Sequence, residues 1–396
     1  MPDPKIDPEP QHDRLDLEVV REVFETSRDF TIGIEEEFQI VDPGILDLEH
    51  RFDELYRACL ADESLAGAVR GELIDTEIEI RSGRGESFAE AAERQRARRE
   101  RLFAIADEMS LALAAMGTHP WASYLDQRII GTTHYQRLAR ELRWVAQRNN
   151  TWSLHVHVGI RGADRAIGVT DRMRGLLPAL LAVSANSPFL DHRDTGLHSV
   201  RTEIFTRTFP RCGVHEPFGD WSSYADFVRL LKETESVVEA TQLWWSVRPH
   251  HEFGTVEVRI CDAQTRGDES LNLAAMIAAC VVQAALDYDE RGYEAGLRQR
   301  EIEENLWRAI RHGMDGEMID FEHRALVPTR GVVERMLEWS EPAQRLLEIE
   351  PAVPEENGAQ RARRAHADGG PIEEIFRRAV EETRRTYAPE AAAVHD

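Results

Sequence analysis

Three stretches of the chain combine acidic, histidine or arginine side chains with an alternating apolar pattern: FTIGIEEEFQIV, SLHVHVGI and GTVEVRICD. Successive side chains of a β-strand point to opposite faces, so alternate residues share one face. Each stretch therefore directs a pair of polar side chains to a common face: Glu35 and Glu37, His155 and His157, and Glu257 and Arg259. Carboxylate and imidazole groups are ligands of divalent cations. The recurrence predicts a sheet with one wall that holds metal ions.

A solvated strand face is the simpler alternative, which the spacing alone leaves open. Glu35 and Glu37 repel each other and need either solvent or a shared cation, and many antiparallel strands have one wet face. A single His-x-His pair is more often structural or exposed than ligating. The metal interpretation gains weight because all three patterns occur in one chain. Glu36 falls on the apolar side of its strand, where we expect an arginine partner or a local twist.

The kind of ligand indicates which ion and which chemistry to expect. An oxygen-rich set with one imidazole favours Mg²⁺ or Mn²⁺ over Zn²⁺, which prefers more nitrogen or sulfur. Arg259 follows Glu257 by two positions on the same predicted face, and its planar guanidinium suits a phosphoryl group. No GxxxxGK[ST] sequence occurs, which excludes a Walker-type ATP site. These features indicate phosphoryl transfer without a P-loop.

Composition limits the partners of the chain. It has 396 residues, 42% of them hydrophobic, and a formal net charge of −24. Nucleic acids and anionic membranes require clustered positive charge, so neither is expected as a partner. The four cysteines show no CxxC spacing, which indicates neither a zinc ribbon nor a disulfide framework. A reducing cytoplasm is the simplest location.

The chain length permits one large domain or two smaller ones. Residues 1–27 begin with the polar, Pro/Asp-rich segment MPDPKIDPEPQHDRLD and are expected to form a disordered tail without a signal peptide. Residues 28–390 are expected to form a single domain with a helical C-terminal part, because no Pro/Gly/Ser-rich linker divides them.

One helix is marked clearly in the sequence. Ser87 and Glu90 fit a capping box, and the Ala/Leu/Arg/Glu-rich stretch that follows predicts a helix as far as Met116, with Gly117 as the stop. Strand patterns precede and follow this helix, and the part of the chain beyond about Ser270 is predominantly helical. Helices grouped around an antiparallel sheet make an α+β fold.

Six ordered motifs carry a family resemblance: IGIEEEFQIVDP, ELIDTEIEIRSG, LHVHVG, SANSPF with RDTG, RPHHEFGTVEVRICDAQT and NLWRAIRHGMDG. Together they resemble the carboxylate-amine ligase family related to bacterial and plant glutamate–cysteine ligases, over residues 28–345. More distantly, the acidic strand, the H-x-H strand and the strand with Glu257 are similar to the catalytic half of glutamine synthetase. The resemblance implies an antiparallel sheet of about six strands that forms a cradle-like active site and is surrounded by helices.

The resemblance also implies roles for individual residues. It implies two metal ions, each held by three side chains: Glu37, Glu72 and Glu79 for one, and Glu35, His155 and Glu257 for the other. Arg259 would steady the transferred phosphoryl group, and His157 would lie beside the nucleotide. We expect Arg308, in the last motif, to contact the nucleotide as well. Arg201 and Arg248 are candidates for binding a substrate carboxylate or the phosphates, with structural ion pairs as the alternative.

One ligand set contains an internal conflict. Glu72 and Glu79 are seven positions apart, so a single continuous strand would direct them to opposite faces. Both reach one site only if a bulge or a break lies between them. Glu77 shares the predicted face of Glu79 and is the alternative second member of the set.

The implied activity is ligation of a carboxylate, expected to be the γ-carboxyl of glutamate, to an amine, with weak activity toward cysteine. ATP would convert the carboxylate into an acyl phosphate, which the amine then attacks to release phosphate. The expected cofactors are ATP and Mg²⁺ or Mn²⁺, the partners are small molecules, and a homodimer is compatible with the family. Two other classes stay open: a two-metal hydrolase, which needs no ATP, and a non-catalytic binding protein on the same scaffold.

Overall fold

The computed structural model describes residues 15–388, which form strands and helices with the following bounds. The strands are β1 (Ile32–Val41), β2 (Val69–Arg70), β3 (Glu77–Arg81), β4 (Ala112–Ala114), β5 (Ser153–Gly159), β6 (Phe189–Leu190), β7 (Arg193–Asp194), β8 (Val247–His250), β9 (Thr255–Asp262), β10 (Glu317–Asp320) and β11 (Ala325–Pro328). The α-helices are α1 (Leu17–Thr26), α2 (Phe52–Leu60), α3 (Phe88–Glu108), α4 (Thr133–Leu142), α5 (Trp144–Gln147), α6 (Ala163–Met173), α7 (Leu177–Ser184), α8 (Val200–Thr208), α9 (Trp221–Glu233), α10 (Gly267–Arg291), α11 (Gln299–His312), α12 (Thr329–Trp339), α13 (Glu341–Leu347), α14 (Gly358–Ala367) and α15 (Ile372–Tyr387).

The main sheet has the strand order β2-β3-β1-β5-β9-β8, and the short strand β4 also pairs with β1. Each of these pairs is antiparallel. Helices cover the apolar face of the sheet, with α6, α7 and α10 against β5 and β9 and with α3 against β1 and β3. The predicted α+β fold, an antiparallel sheet of about six strands surrounded by helices, is therefore confirmed.

The core lies on one face of the sheet because apolar residues occupy alternate positions of its strands. Ile34 of β1, Val156 of β5 and Val258 of β9 belong to the largest cluster. Phe38 of β1 and Ile78 of β3 belong to a second cluster, to which α2 and α3 also contribute. The opposite face of the same strands is thereby left to the polar residues.

A bulge interrupts the pairing of β5 with β9, where the register shifts between Leu154 and Val156. Arg259 and Ile260 of β9 both fall opposite His155 on β5, so two residues face one. Ile260 and the next residue, Cys261, both belong to the hydrophobic core, which two successive strand residues without a bulge would not do.

The prediction of a disordered tail over residues 1–27 is wrong for the part that forms α1. Asp16 caps this helix by accepting hydrogen bonds from the backbone N–H groups of its first turn. Val20 and Phe24 are buried, and the Phe24 ring lies 5.8 Å from that of Trp221. Apolar side chains at helical spacing therefore order this segment. Residues 1–14 lie outside the described residues.

The helix predicted to run from Ser87 to Met116 is shorter than expected. Its start is correct, because the Ser87 hydroxyl accepts a hydrogen bond from the backbone N–H of Glu90 at 3.2 Å. It ends at Glu108, and Ser110 has a positive φ of 57°. The residues that follow form β4, because pairing with β1 outweighs the helical preference of an Ala/Leu-rich stretch.

Among the described residues, α10 alone is long and apolar enough to meet the length and composition of a membrane span. Of its most apolar window, 83% is buried inside the protein. Core helices of this kind pass the same test, so the feature is weak support for a membrane segment.

Candidate active site

The register of the strands arranges the polar residues of one face in rows, which together we call the ligand wall. Directly paired residues are neighbours in each row: His157, Glu257 and Arg248; Arg81, Glu35 and His155; Glu79 and Glu37; and Glu77 and Gln39. Side chains within a row have Cβ atoms about 5 Å apart, and consecutive rows are about 7 Å apart along the strands. The three sequence patterns thus meet on one wall, as predicted.

The first predicted ligand set is brought together. One carboxylate oxygen each from Glu37, Glu72 and Glu79 lies within 4.8 Å of the other two. Glu72 belongs to the loop between β2 and β3 rather than to the strand of Glu79. Arg70 of β2 pairs with Glu79, and Glu72 follows Arg70 by two residues in the loop, so the parity of one continuous strand does not relate Glu72 to Glu79. This loop is the break in the strand that the seven-residue spacing of Glu72 and Glu79 requires.

Burial, and after it repulsion between neighbouring carboxylates, disfavours the charged form of this group. Burial and the neighbouring Glu79 raise the pKa of Glu37 to about 7, although the Ser153 hydroxyl donates a hydrogen bond of 2.7 Å to it. Burial, Glu79 and Glu37 raise the pKa of Glu72 well above its ordinary value, and burial with three neighbouring carboxylates does the same for Glu77. A shared cation would remove this repulsion.

The second group differs from the predicted set in its imidazole. Ligand atoms of Glu35, His157 and Glu257 lie within 4.8 Å of one another, whereas His155 groups with Glu35 and Glu79. The register supplies the reason: His157 is the direct partner of Glu257, while His155 faces the bulge. The His155 Nδ1 atom is nevertheless 3.5 Å from Glu35 and 4.0 Å from Glu257. Which imidazole holds an ion stays a prediction.

Arg259 lies where the two groups meet. Its Nη1 atom contacts the Glu257 carboxylate and is 3.3 Å from Nδ1 of His155. The other ring nitrogen of His155 is 3.6 Å from the Glu37 carboxylate. Burial and the Arg259 charge lower the pKa of His155 to about 3. The imidazole is therefore neutral at pH 7, which is the form that binds a metal ion.

Arg248 and Arg201 make contacts within the protein. Arg248 donates to Glu257 at 2.6 Å and to the Leu243 carbonyl at 2.7 Å. Arg201 donates to the Ile260 carbonyl at 3.0 Å, in the bulged part of β9. These contacts fix Glu257 and the bulge, and they match the structural alternative considered for both arginines. Their binding of a substrate carboxylate stays a prediction.

Arg308, the expected nucleotide contact, lies on α11 rather than on the ligand wall. Its Nη1 atom donates to the Glu317 carbonyl at 3.4 Å, and its Nε atom is 3.8 Å from Glu304. No described contact joins it to the two ligand groups, so its role with the nucleotide also stays a prediction.

Arg81 is a member of the wall that the sequence analysis missed. It contacts the Glu79 carboxylate and lies 3.1 Å from Glu35. Burial would raise the pKa of Glu35, but Arg81 and His157 hold it well below the ordinary value. The signal was available, because Glu79 and Arg81 repeat the E-x-R spacing of Glu257 and Arg259.

The sequence matches the model of glutamate–cysteine ligase family 2 over residues 31–382. The chain belongs to glutamate–cysteine ligase family 2. Among family relatives, a protein of Rubrobacter xylanophilus named "Putative glutamate--cysteine ligase 2-2" is 36% identical over 366 residues, 92% of this chain and 94% of the relative. A relative from Sorangium cellulosum, named "Putative glutamate--cysteine ligase 2", is 39% identical over 310 residues, 78% of this chain and 82% of its own.

Two solved structures share the fold of this family 2 member. The glutamate–cysteine ligase of Francisella tularensis, in complex with AMP, has a TM-score of 0.61 at 13% identity and matches 94% of this chain and 92% of its own. The bifunctional glutathione synthetase of Pasteurella multocida has a TM-score of 0.67 at 10% identity. That match covers 94% of this chain and 54% of the synthetase. At such identities the likeness shows the fold alone.

Proposed function

We propose that this family 2 member is an ATP-dependent ligase that joins the γ-carboxyl of glutamate to an amine by way of an acyl phosphate. One observation carries the proposal: Arg259 contacts Glu257 in one ligand group and interacts with the charges of Glu37 and Glu72 in the other. Membership of glutamate–cysteine ligase family 2 supports the class of reaction. Cysteine is expected to serve as the amine weakly.

The residues of the wall fit divalent metal ions of the kind that accompany ATP. Three carboxylates converge in one group, and two carboxylates with an imidazole converge in the other. Such oxygen-dominated sets suit Mg²⁺ or Mn²⁺. Burial and neighbouring carboxylates raise the pKa values of Glu37 and Glu72, and a bound cation would oppose both effects. When bound, the ions would supply positive charge against the phosphates.

Arg259 would act on the transferring phosphoryl group. A carboxylate oxygen of the substrate forms a bond to the γ-phosphorus of ATP while the bond to the bridging oxygen breaks, and ADP leaves with that electron pair. Negative charge spreads over the equatorial oxygens, and a planar guanidinium can donate two parallel hydrogen bonds to them. The Glu257 carboxylate, itself fixed by Arg248 at 2.6 Å, orients the Arg259 guanidinium for this task.

The second step needs an amine in its neutral form. Its nitrogen attacks the acyl carbon, the carbon–oxygen bond to phosphate breaks, and the proton of the amine is lost to solvent. The products are an amide, ADP and phosphate. The protein contributes chiefly by holding the two substrates close together in a buried site.

A coupled ADP-release assay with glutamate and a panel of amines, cysteine included, tests the proposal. ADP should form only when Mg²⁺ or Mn²⁺, an acid and an amine are all present. AMP and pyrophosphate as products would point to adenylation and contradict the acyl phosphate. Turnover of an amide or phosphate ester without ATP would instead support the two-metal hydrolase.

A further inference from the structure

Three acceptor oxygens lie together at one end of the ligand wall, beyond the two ligand groups. Glu77 is only 1% exposed, and Gln39, its direct partner on β1, is 0% exposed. Both carboxylate oxygens of Glu77 and the Oε1 atom of Gln39 receive no hydrogen bond from any residue between 15 and 388. Buried acceptors are normally paired, so this row has unused binding capacity.

The amide of Gln39 has a fixed orientation. Its Nε2 atom donates a hydrogen bond of 3.0 Å to the Met116 carbonyl, so Oε1 is the atom directed away from Met116. Glu77 lies opposite Gln39 in the register of β1 and β3, and paired residues direct their side chains to the same face. The amide oxygen and the carboxylate are therefore neighbours on the wall.

The ligand that matches these atoms must donate hydrogen bonds and carry positive charge. When Glu77 is ionised, all three atoms can act only as acceptors, and the adjacent row contributes Glu37 and Glu79, whose charges repel an anion. A primary ammonium group has three N–H donors and one positive charge. It matches the three oxygens in number, in hydrogen-bonding role and in sign of charge.

The position of this row indicates which amino group it would hold. An attacking amine must be neutral, so a buried carboxylate that favours the ammonium form would suppress attack. The row with Glu77 is about 7 Å from the row with Glu37 and Glu79 along the strands. In glutamate, four bonds separate the amino nitrogen from the γ-carboxyl carbon, and two separate it from the α-carboxyl carbon. The separation of the rows therefore fits an acid that reacts at its distal carboxylate, whose amino group takes no part in the reaction.

We infer that Glu77 and Gln39 bind the α-ammonium group of the amino acid whose distal carboxylate is activated. This rests on the proposed function for the identity of the acid. Binding of the α-ammonium group would make Glu77 a specificity-determining residue rather than an alternative metal ligand. The site would distinguish glutamate from glutarate, which has the same two carboxylates and lacks the amino group.

The test compares glutamate with glutarate on the full-length protein, by calorimetric titration in Mg²⁺ and by ADP release. The variants are Glu77→Gln, Glu77→Asp and, as an exposed control on β10, Glu317→Gln. Wild type and Glu317→Gln should bind glutamate roughly tenfold or more tightly than glutarate, as a charged hydrogen-bonded contact requires. Glu77→Gln should bring that ratio close to one while glutarate binding and Mg²⁺ affinity stay within about twofold. Glu77→Asp, which keeps the charge, should retain an intermediate ratio.

An unchanged ratio in Glu77→Gln would overturn the inference, and so would a loss of Mg²⁺ affinity with the ratio preserved, which would return Glu77 to the metal ligands. If Glu77→Gln does not fold, an unchanged ratio in Glu77→Asp overturns it equally. The two proposals fail separately. A glutamate preference that depends on Glu77 without any ADP release would contradict the ligase and support the ammonium site.

Discussion

Glu36 and Arg99 form a buried ion pair of 2.9 Å on the face of β1 opposite to the ligand wall. Gln95 donates a second hydrogen bond of 2.8 Å to the Glu36 carboxylate. The Arg99 guanidinium also lies over the Tyr387 ring, 4.6 Å from its centre. The pair thereby joins α3 and α15 to the first strand of the wall, and it confirms the arginine partner expected for Glu36.

Removing one member of this ion pair should destabilise the protein more than removing both members. Arg99→Met leaves a buried carboxylate without its cation and should lower the free energy of unfolding by about 3–5 kcal/mol. The double variant Glu36→Leu/Arg99→Met removes both charges and should recover a large part of that loss. Urea denaturation of the two single variants and the double variant measures the coupling. Additive losses would show that the ions do not act as a pair.

Glu72→Gln should separate stability from metal binding. The change removes one charge from a repelling group, so the metal-free protein should melt at a higher temperature than wild type. The rise in melting temperature on adding Mg²⁺ should become smaller, because one ligand is lost. Thermal melts in EDTA and in Mg²⁺ measure both effects, with Glu317→Gln as the exposed control. An equal Mg²⁺ response in Glu72→Gln and wild type would exclude Glu72 from the ligands.

Arg259→Lys tests geometry against charge. Lysine restores a positive charge without the planar pair of donors, so nucleotide affinity should stay near that of wild type while kcat falls by about 10³-fold or more. The exposed Arg300→Lys, the same change away from the wall, serves as control. A kcat within about threefold of wild type would assign Arg259 a structural role, as the ion-pair partner of Glu257.

His119 should make stability depend on pH. Its Nδ1 atom accepts hydrogen bonds from the backbone N–H groups of Trp121 and Ala122 at 3.3 and 3.0 Å, and its Nε2 atom lies 2.8 Å from the Leu46 carbonyl. The ring is thus held in the neutral form, and burial lowers its pKa from 6.5 to about 4. The unfolded chain therefore binds a proton in this window that the folded protein does not, and stability falls as the pH drops from 6.5 to 4.

The size of this effect can be isolated by substitution. The His119 contribution to the loss between pH 7.5 and 4.5 should be about 2–3 kcal/mol. His119→Gln should lower stability at pH 7.5 and reduce the pH-dependent loss by that amount. Urea denaturation of His119→Gln and wild type at the two pH values measures the difference. Parallel pH dependence in His119→Gln and wild type would refute the assignment.

The sequence predicted the wall because a strand alternates faces strictly, so Glu35, Glu37 and the His-x-His pair could be assigned from parity alone. The assignment of faces from parity failed where the pairing of the strands is irregular. The bulge opposite His155 and the hairpin that holds Glu72 depend on which strands become neighbours, and that is decided by packing between distant segments. The same cause gave β4 a strand conformation inside a predicted helix. Parity also places Gln39 on the wall, two positions after Glu37, but only the pairing of β1 with β3 shows that Glu77 lies beside it.

The bulge in β9 determines which changes of length that strand can accommodate. Asp262, beyond the bulge, accepts hydrogen bonds from the hydroxyls of Ser187 and Ser199 at 2.7 and 2.9 Å. Deleting Ile260 would remove the bulge and leave Cys261 opposite Leu154 and Asp262 opposite Ser153, so both residues would keep their present faces. A one-residue deletion or insertion elsewhere in β9, with the bulge kept, would exchange the faces of the positions on one side of it. A substitution in β9 changes one contact, whereas a change of length outside the bulge turns wall residues toward the core. Variants of this strand should therefore tolerate exchanges of side chains better than changes of length outside the bulge, and a deletion of Ile260 keeps every other residue of β9 on its face.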